Sequence, residues 1–141
     1  GNTLTGTGVM FVLKNGALVD VNGGANVFLS PMSALELIAL GIAADDAARM
    51  ENMLIFEDPN SPGNSGSKFT GNANFDLNGV IYMPNSDLKL AGNIEASANC
   101  MMVMASTVRV SGTADLTTLC PVGEVHSVVV GDGGTRVRLV G

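Results

Sequence analysis

The sequence predicts an all-β fold, a right-handed parallel β-helix with about 20 residues per coil and a short inserted helix. Three observations carry that expectation. Four segments share one pattern of apolar, x, apolar, x, Gly, x, small or apolar, x, apolar, broken at one place by Ser67 at the first apolar position of the second: Val19–Val27, Ser67–Phe75, Leu88–Ala96 and Val108–Leu116. Their glycines recur with a near-constant step, 21 residues from Gly71 to Gly92 and 20 from Gly92 to Gly112. The composition is 46% hydrophobic but only 14% charged, with 18 glycines, which suits short strands and turns better than wet-faced helices. A step near 20 residues with several short strands is the signature of stacked β-coils, spaced about 4.8 Å apart. Right-handedness follows the general rule for parallel connections. The alternative is a β-sandwich, in which hairpins would alternate between faces.

Each element has a local reason. Period-2 alternation buries one face of a strand. A glycine inside such a run marks a bend or a close backbone approach. Upstream of the repeats stand further apolar runs, "GVMFVL" (Gly8–Leu13), "MLIFE" (Met53–Glu57), "GVIYM" (Gly79–Met83) and "MMVMA" (Met101–Ala105). Each unit therefore reads as strand, turn, bent strand, turn, with Asn-Gly, Pro-Asn-Ser and Asn-Ala-Asn as the turns. "VRLVG" at the end and "LTG" near the start place Gly141 and Gly6 in the same phase, as weaker copies. Most of the eight methionines fall in the apolar runs and read as core filling.

Gly23 to Gly71 is 48 residues, one coil plus an insertion at about 31–52. Ser30 followed by Pro31 reads as a helix start, and Leu35, Ile38 and Ile42 as its apolar face. Gly41 weakens that helix. Glu57–Ser67 reads as a loop. The 141 residues suit a single domain spanning 1–141.

Charge narrows the function. The formal net charge is -6 with seven Lys and Arg and no basic run, which argues against nucleic acid as a partner. No apolar stretch is long enough to span a bilayer, and the start at Gly1 reads as a fragment of a longer protein whose upstream segment is unseen. Stacking would place residues of equal phase in columns. Three before each glycine stand Asp20, Lys68, Lys89, Arg109 and Arg138; three after stand Asn26, Asn74, Glu95 and Asp115. Both columns should point outward. They read either as a solvated face or, at Lys68, Lys89 and Arg109, as a docking strip for an acidic partner or a polysaccharide.

Catalytic chemistry finds little support. One histidine, His126, supports neither a metal cluster nor a triad. Glu57, Asp58, Asn60 and Asn64 offer oxygens in one loop, but without the spacing of a known calcium motif. Asp87, Lys89 and Arg109 are too scattered for a glycan-active β-helix enzyme. The expectation is a non-enzyme with no metal and no cofactor.

Cys100 and Cys120 each lie eight residues after a repeat glycine, Gly92 and Gly112. The same phase in adjacent coils would bring their Cα atoms within about 5 Å, a distance a disulfide allows. The alternative is two reduced, buried thiols. A disulfide closing this loop would contribute about 3 kcal/mol and imply an oxidising compartment.

Several motifs carry a family resemblance. "MLIFED", then "NFDLNGVIYMPNSDLKLAGN", Cys100, "VMASTVRVSGTADL" and Cys120 together resemble the C-terminal region of TadG-like pilus-assembly proteins of the bacterial Flp/Tad type. The match covers Met53–Cys120 well, and Gly8–Pro31 and the final "VRLV" loosely; the Ser33–Asn52 insertion departs from it. The resemblance implies an extracytoplasmic domain, in the periplasm or at the cell surface, behind a membrane anchor. It implies protein partners of the envelope or pilus machinery, a role in assembly or attachment, and no catalytic residues. The rival expectation is a carbohydrate-binding adhesive module, with surface glycan as the partner.

Overall fold

The structure is a computed structural model that describes residues 2–24, 26–71, 75–92 and 101–112. The elements run β1 (Thr3–Gly6), β2 (Phe11–Leu13), β3 (Asp20–Val21), β4 (Asn26–Leu29), α1 (Ala34–Ala39), α2 (Ala44–Met50), β5 (Met53–Glu57), β6 (Ser67–Gly71), β7 (Phe75–Leu77), β8 (Gly79–Gly92) and β9 (Met101–Ser111). They form two sheets. One is three-stranded, in the order β1-β4-β7. The other has six strands: β2-β5-β8-β6-β3, with β9 along β8.

Among the described residues, all seven strand pairings are parallel. That overturns the β-sandwich, whose hairpins pair antiparallel. The regular β-helix fails as well. Its coil requires a turn between the apolar run and the glycine-containing run, and Pro84–Asn85–Ser86 has the composition to supply one. The backbone instead stays extended through all three residues, so β8 is one strand of 14 residues. Its first half takes β5 and its second half takes β6, which fuses two expected faces into one curled sheet. The bend is taken up in register: three residues of β8, between Met83 and Asp87, stand against Ser106 of β9. The fold is thus mostly parallel β, with a curled large sheet and a small one, and without uniform 20-residue coils.

The core lies between the sheets. Val27, Leu29, Phe75 and Leu77 from the small sheet join Leu13, Ile55, Phe69, Ile81, Met83, Leu88, Leu90 and Met101 from the large one in a single buried cluster. Of the methionines, Met83 and Met101 are core residues, whereas Met102 and Met104 are only half-buried. The repeat glycines have a steric reason. Gly71 faces Gly92 in register. Gly92 and Gly112 both hold left-handed φ, at 111° and 96°. A Cβ on Gly112 would meet the backbone N and O of Gly92 at 2.9 Å. Only glycine permits that approach in that conformation.

The insertion folds differently from its expected form. Ser30 is not the helix cap: its N–H donates to the Gly6 carbonyl (2.9 Å) and its own carbonyl accepts from Val9 (3.1 Å), extending the small sheet. Ser33 caps α1 instead, in a capping box with Glu36. Leu35 and Ile38, the expected inner face, are exposed at 79% and 42%; Leu37 and Ala47 are the buried positions. Gly41, at φ 91°, divides the segment into two helices. The amides of Gly41 and Ile42 donate to Ile38 (2.9 Å) and Leu37 (3.1 Å), a Schellman closure of α1.

The backbone N–H and hydroxyl of Ser33 each donate to Glu36 Oε2 at 2.8 Å. The backbone bond, then the hydroxyl, holds the Glu36 carboxyl below its ordinary range. A depressed folded-state value means that this contribution is present above the unfolded glutamate range and lost as pH falls through the folded value. Acidification is therefore expected to loosen α1 before the sheets. Amide exchange over residues 34–40, followed from neutral into acid pH, checks this; exchange there that stays in step with the sheets refutes it.

Gly79 docks the insertion onto β8. Its φ is 101°, and a Cβ there would lie 2.4 Å from the Asn52 carbonyl and 2.8 Å from Pro31 Cγ. That same carbonyl accepts from the Val80 amide at 2.7 Å. Gly79→Ala is expected to cost about 3 kcal/mol, from backbone strain plus displacement of the Asn52 strand entry. A urea midpoint within experimental error of wild type would refute it.

Candidate functional site: the outer face of the large sheet

Alternation along the strands sends every second side chain out of the core. Phe69 and Leu90 point in, so Lys68 and Lys89 beside them point out. Register then places the outward cations side by side: Asp20 opposite Lys68, Lys68 opposite Lys89, and Lys89 opposite Arg109. Three of the chain's seven cations thus occupy one row across four strands. Lys68 Nζ pairs with Asp20 Oδ2 at 3.2 Å. Among the described residues, no ion pair engages Lys89 or Arg109, and both are exposed. Around them the face is low and polar. Thr70, Ala91 and Ser111 form the row on one side, and Asp87 and Thr107 lie on the other.

A second row faces outward on the first half of the sheet: Val12, Phe56, Tyr82 and Met104. The Phe56 and Tyr82 rings stack on each other, with centroids 5.7 Å apart and planes 17° from parallel. Each ring spends one face on the other, along the row. Tyr82 is the only tyrosine of a chain without tryptophan.

The side-chain oxygens of Glu57 and Asn64, from the Glu57–Ser67 loop, are taken up by internal hydrogen bonds. Glu57 is 1% exposed. Its Oε1 accepts from the Ser86 hydroxyl and its Oε2 from the Asn85 amide at 2.9 Å. Ser86 Oγ in turn accepts from the Asn64 backbone N–H (3.0 Å) and side-chain Nδ2 (3.1 Å). Asn64 Nδ2 also reaches the Ala17 carbonyl at 2.9 Å, and Asn64 Oδ1 accepts from Ser67 Oγ at 3.1 Å. Asp58 Oδ1 closes a local turn by accepting from the Asn60 amide at 3.0 Å. Ser67 breaks the apolar rule of its repeat because its buried hydroxyl belongs to this network, where it also accepts from the Val19 amide at 3.3 Å. Ser86 beside a carboxylate has the outline of a nucleophile and its partner, but at 0% exposure no substrate reaches it.

Among the described residues, no group of three or more His, Cys, Asp or Glu side chains could hold a metal ion. Cys100, Cys120, His126, Asn74, Glu95, Asp115 and Arg138 lie outside the described residues. Ser86 and Asn85 are the residues that sequence reasoning missed. The available signal was three polar residues interrupting an apolar alternation, with a lone carboxylate ending the strand paired to it. No family model, curated protein or solved structure matches this chain.

Proposed function

We propose that this chain is a non-catalytic structural and interaction module of the bacterial cell envelope, acting in Flp/Tad-type pilus assembly or surface attachment. The observation that carries the interaction role is the row Lys68, Lys89 and Arg109, aligned on the open face of a sheet in an acidic protein. Like charges directly opposite one another in a sheet are destabilising, so such a row is more readily accounted for by contact with a partner than by folding. The one deeply buried carboxylate of the described residues, Glu57, is consumed by hydrogen bonds that hold the bend in β8, which speaks against an acid–base role for it. The envelope and pilus setting rests on the sequence resemblance, above all on "LNGVIYMPNSDLKLAGN".

The test is retention of the purified protein on isolated envelope and on purified pilus components, beside the double variant Lys89→Glu/Arg109→Glu. Wild-type retention that the variant loses is the expected result. Equal retention of both, or of neither, overturns the role given to this face.

A further inference from the structure

β2 and β3 end the large sheet on one side, and β9 borders β8 on the other; among the described residues each of the three pairs along one edge only. Register links these edges through four rows. Two rows point into the core: Phe11, Ile55, Ile81 and Val103, and then Val21, Phe69, Leu90 and Val110. The middle members of both are buried, whereas Phe11 at one end and Val110 at the other are exposed. Two rows point outward: Val12, Phe56, Tyr82 and Met104, and then Asp20, Lys68, Lys89 and Arg109. The core thus ends at both edges on apolar side chains that stand at positions the neighbouring strands bury. β9 also carries one charge, Arg109, and no proline in its 11 residues, so its edge has little of what keeps sheet edges apart.

The two ends of each row complement one another. Continued by one strand beyond β9, the rows would set Phe11 beside Val103 and Val21 beside Val110 on the core side, and Val12 beside Met104 and Asp20 beside Arg109 on the outer side. Three of these contacts are apolar on both sides, and the fourth joins the acid that begins the charged row to the base that ends it. Asp20 holds Lys68 through Oδ2 at 3.2 Å and accepts from Asn22 Nδ2 through Oδ1 at 3.3 Å, and each carboxylate oxygen keeps a second acceptor position. The spacing is preset as well. β5 and β6 fit the two halves of β8, β2 and β3 lie in register on β5 and β6, and β9 follows both halves of β8. β2 and β3 therefore stand at the interval that the outer edge of β9 offers. An unrelated peptide adding as a strand would match one half of that edge. A second copy of this chain brings both strands at once.

We propose that copies of this chain dock head to tail, with β2 and β3 of one copy adding in parallel to the β9 edge of the next. The contact joins sheet edges and goes beyond the role given to the outer face, where Lys89 stays exposed. The two surfaces that meet are different, and a docked pair still presents one of each at its ends. Such a contact is heterologous and repeats into chains or rings instead of stopping at a dimer.

Sedimentation velocity of the full chain tests this, over a range of concentrations and in reductant so that no thiol bridges two copies. Wild type is expected to grow past the dimer as concentration rises. Arg109→Asp and Asp20→Arg are each expected to need at least about tenfold more protein for the same growth, because each sets like charges across the contact. An equimolar mixture of the two variants is expected to regain wild-type growth, since every junction between unlike copies again joins acid to base. An unchanged urea midpoint verifies the fold of each variant. Should Asp20→Arg unfold beside Lys68, Arg109→Asp alone decides, at an exposed side chain without an ion pair among the described residues. A wild type that stays monomeric, as it would with residues 113–141 of the same chain on the β9 edge, overturns the inference. Growth that halts at a dimer, growth that Arg109→Asp leaves unchanged, or a mixture of folded variants that regains nothing overturns it equally.

Discussion

Phe69→Ala is expected to lower the unfolding free energy by about 4 kcal/mol. Phe69 belongs to β6 of the large sheet and is 1% exposed. Its ring meets Phe75 of β7, in the small sheet, edge to face, with centroids 5.6 Å apart and planes at 83°. The pair spans the core from one sheet to the other. Truncation removes a buried ring's transfer free energy, leaves a cavity that two hydrogen-bonded sheets cannot collapse to fill, and forfeits the edge-to-face contact. Phe69→Leu keeps most of the volume and is expected to cost about 1.5 kcal/mol. Urea unfolding reads both as a shift in midpoint at constant slope. A loss below about 1.5 kcal/mol for the alanine variant would show that the sheets are not held by this pair.

Ser86→Ala is expected to cost about 3 kcal/mol although it deletes a single oxygen. Ser86 and Glu57 are 0% and 1% exposed, so no water replaces the lost donor. The carboxylate keeps only the Asn85 amide, the Asn64 backbone N–H loses its acceptor, and Asn64 Nδ2 keeps only the Ala17 carbonyl. Leaving buried polar partners unmatched costs far more than a hydrogen bond contributes on balance. For the same reason Glu57→Leu/Ser86→Ala is expected to be less destabilised than the sum of its single variants, with a coupling on the order of 1–3 kcal/mol. Additive losses in a double-mutant cycle would refute the network. The consequence is also topological, because this network sits at the bend that lets β8 serve two partner strands.

These two sites differ in how far they are legible in the sequence. Phe69 and Phe75 stand at apolar positions of one repeat segment, with the alternation that marks buried strand residues. Their burial is a local property and can be read directly. The pairing of Lys68, Lys89 and Arg109 is legible too, because a near-constant step between the glycines carries the register of neighbouring strands. The helical insertion is legible in place but not in detail. Ser33 and Glu36 carry the S-x-x-E signature of a capping box, yet Ser30-Pro31 offers a competing start. What decides between them is that Ser30 is held by Gly6 and Val9 of another segment.

The strands, their inward and outward faces, the register glycines and the cationic row are therefore all written along the chain. They follow from alternation and spacing, which act over a few residues or repeat at a constant step. How the strands join into sheets is settled only in the folded molecule. Pro84–Asn85–Ser86 has the composition of a turn, and in isolation those residues favour one. They stay extended because the carboxylate of Glu57, 28 residues before Asn85, accepts from the Asn85 amide and the Ser86 hydroxyl. A local preference of order 1 kcal/mol yields to a buried pair of hydrogen bonds whose partners have no water to turn to. A partner that distant in the chain leaves no periodic trace, so the fusion of two expected strands into β8 becomes visible only once the chain has folded.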